Sequence, residues 1–184
     1  MEGAKTTPRL ATELEKGNEM VQLMDINEQT DKDFGVARRR AWMRKLALRL
    51  RGKTTGDGAP ASFQDLQNER RAHNRVRRGI RVVDTDRIVG SVGRSKDFDR
   101  RFLPLRASTG ERWRRVDVAF YRGVDLPPVS LYKLDGAYFV LDGNHRVSVA
   151  RFHGLRTVEA EVTEFLPPRA EGSVLAAVPE AKAA

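Results

Sequence analysis

The side chains best equipped for chemistry lie in one run, Tyr138 to Arg151, which reads YFVLDGNHRVSVAR. An apolar stretch passes into Asp142 and Gly143 and then, with no linker, into a segment patterned as a helix. Gly143 permits a tight turn with positive φ and lets a ligand approach the backbone. A helix beginning at Asn144 would aim the N–H groups of Asn144, His145 and Arg146 outwards, and with the helix dipole these make an anion site. Arg146, one turn in, could add a bidentate clamp on phosphate oxygens. Asn144 could cap the helix, and His145 could donate, accept or shuttle a proton. Asp142 could hold Arg146, cap the turn, or bind Mg²⁺ together with nucleotide phosphates. The same turn also serves structure alone, since many strand–glycine–helix junctions bind nothing. No set of side chains is spaced as a protein metal site.

The surrounding elements follow from pattern. Asp135-Gly136 between apolar alternations predicts a hairpin of Val129–Leu134 with Ala137–Leu141. Asn144–His153 reads as a helix capped by Gly154, and Thr157–Phe165 alternates as a strand. Ile80–Val83 reads as a short strand, followed by a turn and residues 86–89. Residues 97–103 read as a short helix ended by Pro104. Residues 110–121 fit a helix with Trp113, Val116 and Phe120 inward. Gly90 to Arg94 form a loop whose backbone donors could cover a ligand. Arg112, Arg114 and Arg115 flank Trp113, a mixture suited to phosphates or bases, although a helical Trp more often belongs to the core.

Towards the N-terminus, residues 35–51 read as an amphipathic helix. At about 100° per residue, Val36, Trp42, Met43, Leu46, Ala47 and Leu50 share a face. This segment has no acid and is rich in arginine. It is read as a helix packed on the domain with snorkelling arginines, as a nucleic-acid arm, or as a membrane-surface helix. Residues 52–61 have linker composition, and their GKTT is not a phosphate loop because the required upstream glycine is Ala47. Ser62 with Asp65 opens a second basic helix, expected to run to about Arg78. Residues 1–34 show little periodicity and are expected to form a loose acidic tail, and residues 167–184 a flexible one.

The chain has 184 residues, 34 Lys+Arg against 25 Asp+Glu, a formal net charge of +9 and no Cys. That length supports one domain with extensions. The absence of Cys excludes disulfide scaffolds, thiolate zinc sites, iron–sulfur clusters and cysteine nucleophiles. The charge is partitioned: residues 1–34 carry a net −4, residues 35–154 a net +15 and residues 155–184 a net −2. A clustered positive centre predicts an anionic partner, a phosphate ligand or a nucleic acid. Arg38, Arg39, Arg40, Arg44, Lys45, Arg70 and Arg71 are the candidate nucleic-acid contacts. No apolar run approaches the roughly 18 residues of a membrane span. The N-terminus lacks the pattern of a secretory signal, so a cytoplasmic location is expected.

The segment LDGNHRVSVARFHG resembles the core motif of the ParB/sulfiredoxin-like superfamily. Residues 80–94, IRVVDTDRIVGSVGR, resemble that family's opening strand and first loop, and DLPPVSLYKLDGAYFVLDG its central hairpin. The resemblance covers about residues 79–165. It implies an α+β domain over residues 79–166, with a small mixed sheet and packed helices, preceded by a basic helical extension at 35–78. It also implies phosphate binding through Gly143, Asn144, His145, Arg146 and Arg94, with a nucleoside triphosphate and Mg²⁺ as the cofactors. Members include nucleotide-binding DNA partition proteins, sulfiredoxins, small-molecule kinases and proposed nucleases. Asn144 stands where sulfiredoxin has its Cys, which excludes that chemistry. Only Leu166–Ala184 follow the domain, so the helix-turn-helix of partition proteins is not expected. Two readings result. One is a nucleotide- or phosphate-binding module that acts with DNA or RNA. The other is a phosphotransferase or nuclease in which His145 and Asp142 are catalytic, with Asp84, Asp86, Asp97 and Asp99 as further candidate bases.

Overall fold

Asp135 and Gly136 have φ of 49° and 77°, the pair of left-handed residues that a two-residue hairpin turn needs. They join strands Val129–Leu134 and Ala137–Asp142. A computed structural model of the chain describes residues 8–52, 60–94 and 96–168. In chain order its elements are α1 (Pro8–Leu50), β1 (Ala61–Ser62), α2 (Phe63–Arg70), β2 (Asn74–Asp84) and β3 (Ile88–Ser91). Then come α3 (Gly110–Tyr121), β4 (Val129–Leu134), β5 (Ala137–Asp142), α4 (Asn144–Phe152) and β6 (Thr157–Leu166). The six strands form one sheet in the order β1-β3-β5-β4-β6-β2. β3 and β5 are parallel, β4 and β6 are parallel, and the hairpin and the β2–β6 pair are antiparallel. The architecture is therefore α+β with a mixed sheet, as the sequence led one to expect.

Period-two alternation sorts the sheet's side chains onto two faces. Leu131 pairs with Val140 and packs with Val147 of α4, Phe102, Ala160 and Val162. The next pair along, Tyr132 with Phe139, points the other way and meets Phe63 of α2 and Phe165. A third apolar cluster lies outside the sheet, where Phe34, Ala37 and Ala41 of α1 pack on Trp113 of α3 and Val149 of α4. The edge strand β2 is long and carries four arginines and a bulge between Arg77 and Gly79, both of which oppose edge-to-edge association.

Four expectations are corrected. Residues 8–34 are helical rather than a loose tail, because α1 continues unbroken through them and Thr30, Asp33 and Phe34 are buried against the domain. The face of α1 expected to be inward is outward: Trp42 is 58% and Leu50 81% exposed. The buried stripe uses small residues, Ala37 and Ala41, because only these let the helix backbone approach Trp113 closely. The second basic helix ends at Arg70, where Arg71 adopts a left-handed cap with φ 49° and donates its N–H to Asn68 O. From Asn74 the chain is strand, held by continuous pairing with β6. Residues 97–103 form a turn closed by a Phe98–Pro104 bridge instead of a helix. There Asp99 Oδ1 accepts the N–H groups of Arg101 and Leu103, both at 2.9 Å. Residues 53–59 of the expected linker and 169–184 of the expected tail lie outside the described residues. No helix among the described residues is long and apolar enough to cross a membrane.

Candidate phosphate-binding site

The junction of β5 and α4 is where the sequence placed it. Gly143 has φ 95° and occupies the cap position of α4, where no side chain makes a capping hydrogen bond. Val147 N–H donates to Gly143 O at 3.0 Å and opens the helical ladder. The amides of Asn144, His145 and Arg146 precede that first bond and have no intrahelical acceptor. A Cβ at position 143 would come within 2.7 Å of Val129 Cγ1, so close packing as well as φ requires glycine. Asn144 does not cap the helix. It is buried, and its Oδ1 has no partner among the described residues.

A cleft of about 310 Å³ opens over this helix start, lined by Arg94, Arg112 and Arg115 and by the turn from Asp142 to Arg146. Arg94 arrives from the loop after β3, which is pinned by Ser91. The Ser91 Oγ donates to Val140 O at 3.3 Å and accepts the Arg94 N–H at 3.2 Å. Arg112 and Arg115 come from the first turns of α3, at the i,i+3 spacing that places them on one helix face. Arg115 pairs with Glu111, and Arg94 touches Asp97 at 3.4 Å. Arg112 has no hydrogen-bonding or ion-pair partner among the described residues. Trp113, between them, is fully buried and donates Nε1–H to Ser148 Oγ at 2.9 Å. Arg114 is drawn away to Asp31 of α1, at 3.1 Å.

Two expected roles change. Arg146 lines the cleft, but it is not a free clamp. Its guanidinium donates to the carbonyls of Pro127 and Pro128, the latter at 2.9 Å, and to Asp142 Oδ2 at 2.7 Å. It is a strut that ties the start of α4 to the segment before β4. His145 turns its ring inward, edge-on to Phe98 at 5.4 Å, and both ring nitrogens are buried without partners among the described residues. Burial, with the Arg94 and Arg112 guanidiniums, lowers its pKa from 6.5 to about 4. The ring is therefore neutral near pH 7. Asp142 Oδ2 pairs with Arg146. Among the other acids, Asp99 is held by Arg44, and Asp97 lies between Arg94 and Arg106.

The candidate nucleic-acid residues do not share one surface. Arg38, Arg39, Arg40, Arg44 and Lys45 lie on α1, over the α3–α4 side of the sheet. Arg70 and Arg71 end α2, which packs on the opposite face. Arg70 is paired with Asp135 at 2.8 Å. Arg40 lies over the Phe152 ring at 5.4 Å. With Arg44, Arg101, Arg151 and Arg156 it lines a second basic cavity of about 500 Å³ at the far end of α4. Arg151 is committed there to the carbonyls of Thr85 and Ile88. The sequence marked Arg112 and Arg115 as suited to phosphate without tying them to the β5–α4 turn, and it did not mark Arg101 or Arg156. The i,i+3 spacing of the first two was a usable signal, whereas the last two meet only through the tertiary fold.

No protein-family model matches the chain, and no curated protein matches it. Among solved structures, sulfiredoxin from Arabidopsis thaliana is similar over 45% of this chain and 82% of its own, at 17% identity and a TM-score of 0.35. Nothing about activity follows from a likeness at that level.

Proposed function

We propose that the chain is a phosphate-binding module that takes a nucleotide or another phosphorylated ligand at the start of α4 and acts with DNA or RNA through its basic surface. The observation that supports this reading is the convergence of Arg94, Arg112 and Arg115 on a helix start that carries no capping side chain. An anion there meets outward amides, the positive end of the helix dipole and a guanidinium with no competing partner. Mg²⁺ would be held between Asp142 and the ligand's phosphates. An enzymatic reading has less support, because both His145 ring nitrogens are buried.

The test is a titration with fluorescent nucleoside triphosphates, with and without Mg²⁺. Arg112→Ala is expected to weaken binding about tenfold or more, since a charge-assisted hydrogen bond contributes about 1.5–3 kcal/mol. An unchanged Kd for Arg112→Ala, with wild-type folding, would reject the site. The nucleic-acid half is tested by substitution, because deleting 35–78 would remove Ala37, Ala41 and the start of β2. Binding to a DNA or RNA duplex should fall steeply with salt, and replacing Arg38, Arg39 and Arg40 with Gln should flatten that slope.

A further inference from the structure

Asp33 of α1, Asp117 of α3 and His153 just after α4 are distant in sequence, yet each offers a ligand-type atom within 4.8 Å of the others'. Asp117 is fully buried, Asp33 is 8% exposed, and the His153 side chain is 14% exposed. His153 Nε2 lies 2.6 Å from Asp117 Oδ1, and Asp117 Oδ2 is buried with no partner among the described residues. Asp33 Oδ2 accepts the Tyr121 hydroxyl at 2.6 Å, and its Oδ1 accepts Gln29 Nε2 at 3.0 Å. No Lys or Arg forms an ion pair with either carboxylate among the described residues. We propose that Asp33, Asp117 and His153 form a divalent transition-metal site, best suited to zinc, that fastens α1 to the α3–α4 pair.

Three arguments carry this. The first is charge. With both carboxylates ionised, even a protonated His153 leaves one negative charge in a site largely closed to water, which is costly. Two carboxylates, a neutral imidazole and a divalent cation are balanced. The second is donor chemistry. Two carboxylate oxygens and an imidazole nitrogen suit Zn²⁺ at about 2.0–2.2 Å, with water in the fourth position. Mg²⁺ and Ca²⁺ prefer all-oxygen sets. The third is support around the donors. The His153 ring is stacked on Phe120 at 4.0 Å, with Tyr121 and Phe152 edge-on. Tyr121 and Gln29 hydrogen-bond to Asp33, as outer groups do to ligating carboxylates. On binding, the metal would replace the direct contact between His153 and Asp117, with the donor atoms settling about 3.4 Å apart in a tetrahedron.

The experiment uses the full chain, stripped with a chelator and then titrated with Zn²⁺ by calorimetry and with Co²⁺ by visible absorption. One ion per chain is expected, with tetrahedral Co²⁺ bands and a raised melting temperature. Asp117→Asn and Asp33→Asn should each weaken binding about tenfold or more. Wild-type protein that takes up neither ion at micromolar concentration, or variants that bind as well as wild type, overturns the site. Should the variants fail to fold, Co²⁺ line broadening in wild-type amide spectra decides. Broadening centred on residues 33, 117 and 153 supports the site, and broadening centred elsewhere overturns it. Phosphate binding at the start of α4 is independent of either result.

Discussion

Arg146 shows how residue type alone misleads about role. A guanidinium one turn into a helix that follows a glycine turn is placed to clamp a phosphate, but here its donors are used by Pro127 O, Pro128 O and Asp142. Arg146→Ala should therefore cost stability, about 1.5–3 kcal/mol by urea denaturation, because it leaves two carbonyls and a carboxylate without their charged donor. Arg112→Ala, on an exposed side chain, should leave stability within about 0.5 kcal/mol and reduce ligand affinity instead. Equal effects of the two substitutions on both readouts would remove this distinction. His145 gives a pH signature. Its folded pKa of about 4 lies below the ordinary 6.5, so the unfolded chain takes up its proton first as pH falls. Stability from this residue is complete above about pH 6.5 and is lost progressively towards about pH 4. His145→Gln should flatten that acid limb, and an NMR titration of the ring should move upward when phosphate occupies the cleft beside Arg94 and Arg112. The chemical identity of this turn was legible because Asp142 to Arg146 are contiguous. The direction of each side chain was not, because Phe98, Pro127 and Asp97, which decide it, come from other parts of the chain.

The β5–α4 junction works as an element because Gly143 combines φ 95° with a close approach to Val129 of β4. An alanine there would have to adopt a left-handed backbone and displace a buried valine. Gly143→Ala is expected to destabilise the domain by about 1 kcal/mol or more and to weaken phosphate binding, since the first turn of α4 must shift. Retained melting temperature and affinity would show that the turn tolerates a Cβ. The hairpin, α3, α4 and β6 were readable because each is defined by its own pattern: a two-residue turn, a spaced apolar stripe or an alternation. β2 was not. Its Asn74–Arg78 half is polar and basic, like the helix before it, and only pairing with β6 makes it a strand. The bound set of α2 was half legible, since the Ser62 cap with Asp65 N–H was expected and is present, whereas the left-handed stop at Arg71, a non-glycine residue, carried no local signal.

At the scale of the whole molecule, α1 is the feature that local pattern ranked wrongly. Trp42, Met43 and Leu50 dominate any apolar arc drawn on this helix, and they are exposed. The contact that holds it is built from Phe34, Ala37 and Ala41, with the Phe34 ring 5.6 Å from Trp113. Asp31–Arg114 and Asp33–Tyr121 add polar links across the same interface. Among the described residues, Phe34 is the only large apolar side chain that α1 contributes to that buried cluster, so docking depends on it. Phe34→Ala should lower stability by about 3–5 kcal/mol if α1 and the sheet unfold together. If α1 is instead a separate cooperative unit, the sheet should keep its melting transition while α1 amides exchange rapidly. Trp113 distinguishes both outcomes from a silent substitution. It is fully buried in the intact protein, and losing its aromatic neighbour should shift its emission to the red, measured in a Trp42→Phe background so that the exposed tryptophan does not contribute. An unshifted spectrum with unchanged stability and exchange would mean that α1 is held by its polar links alone.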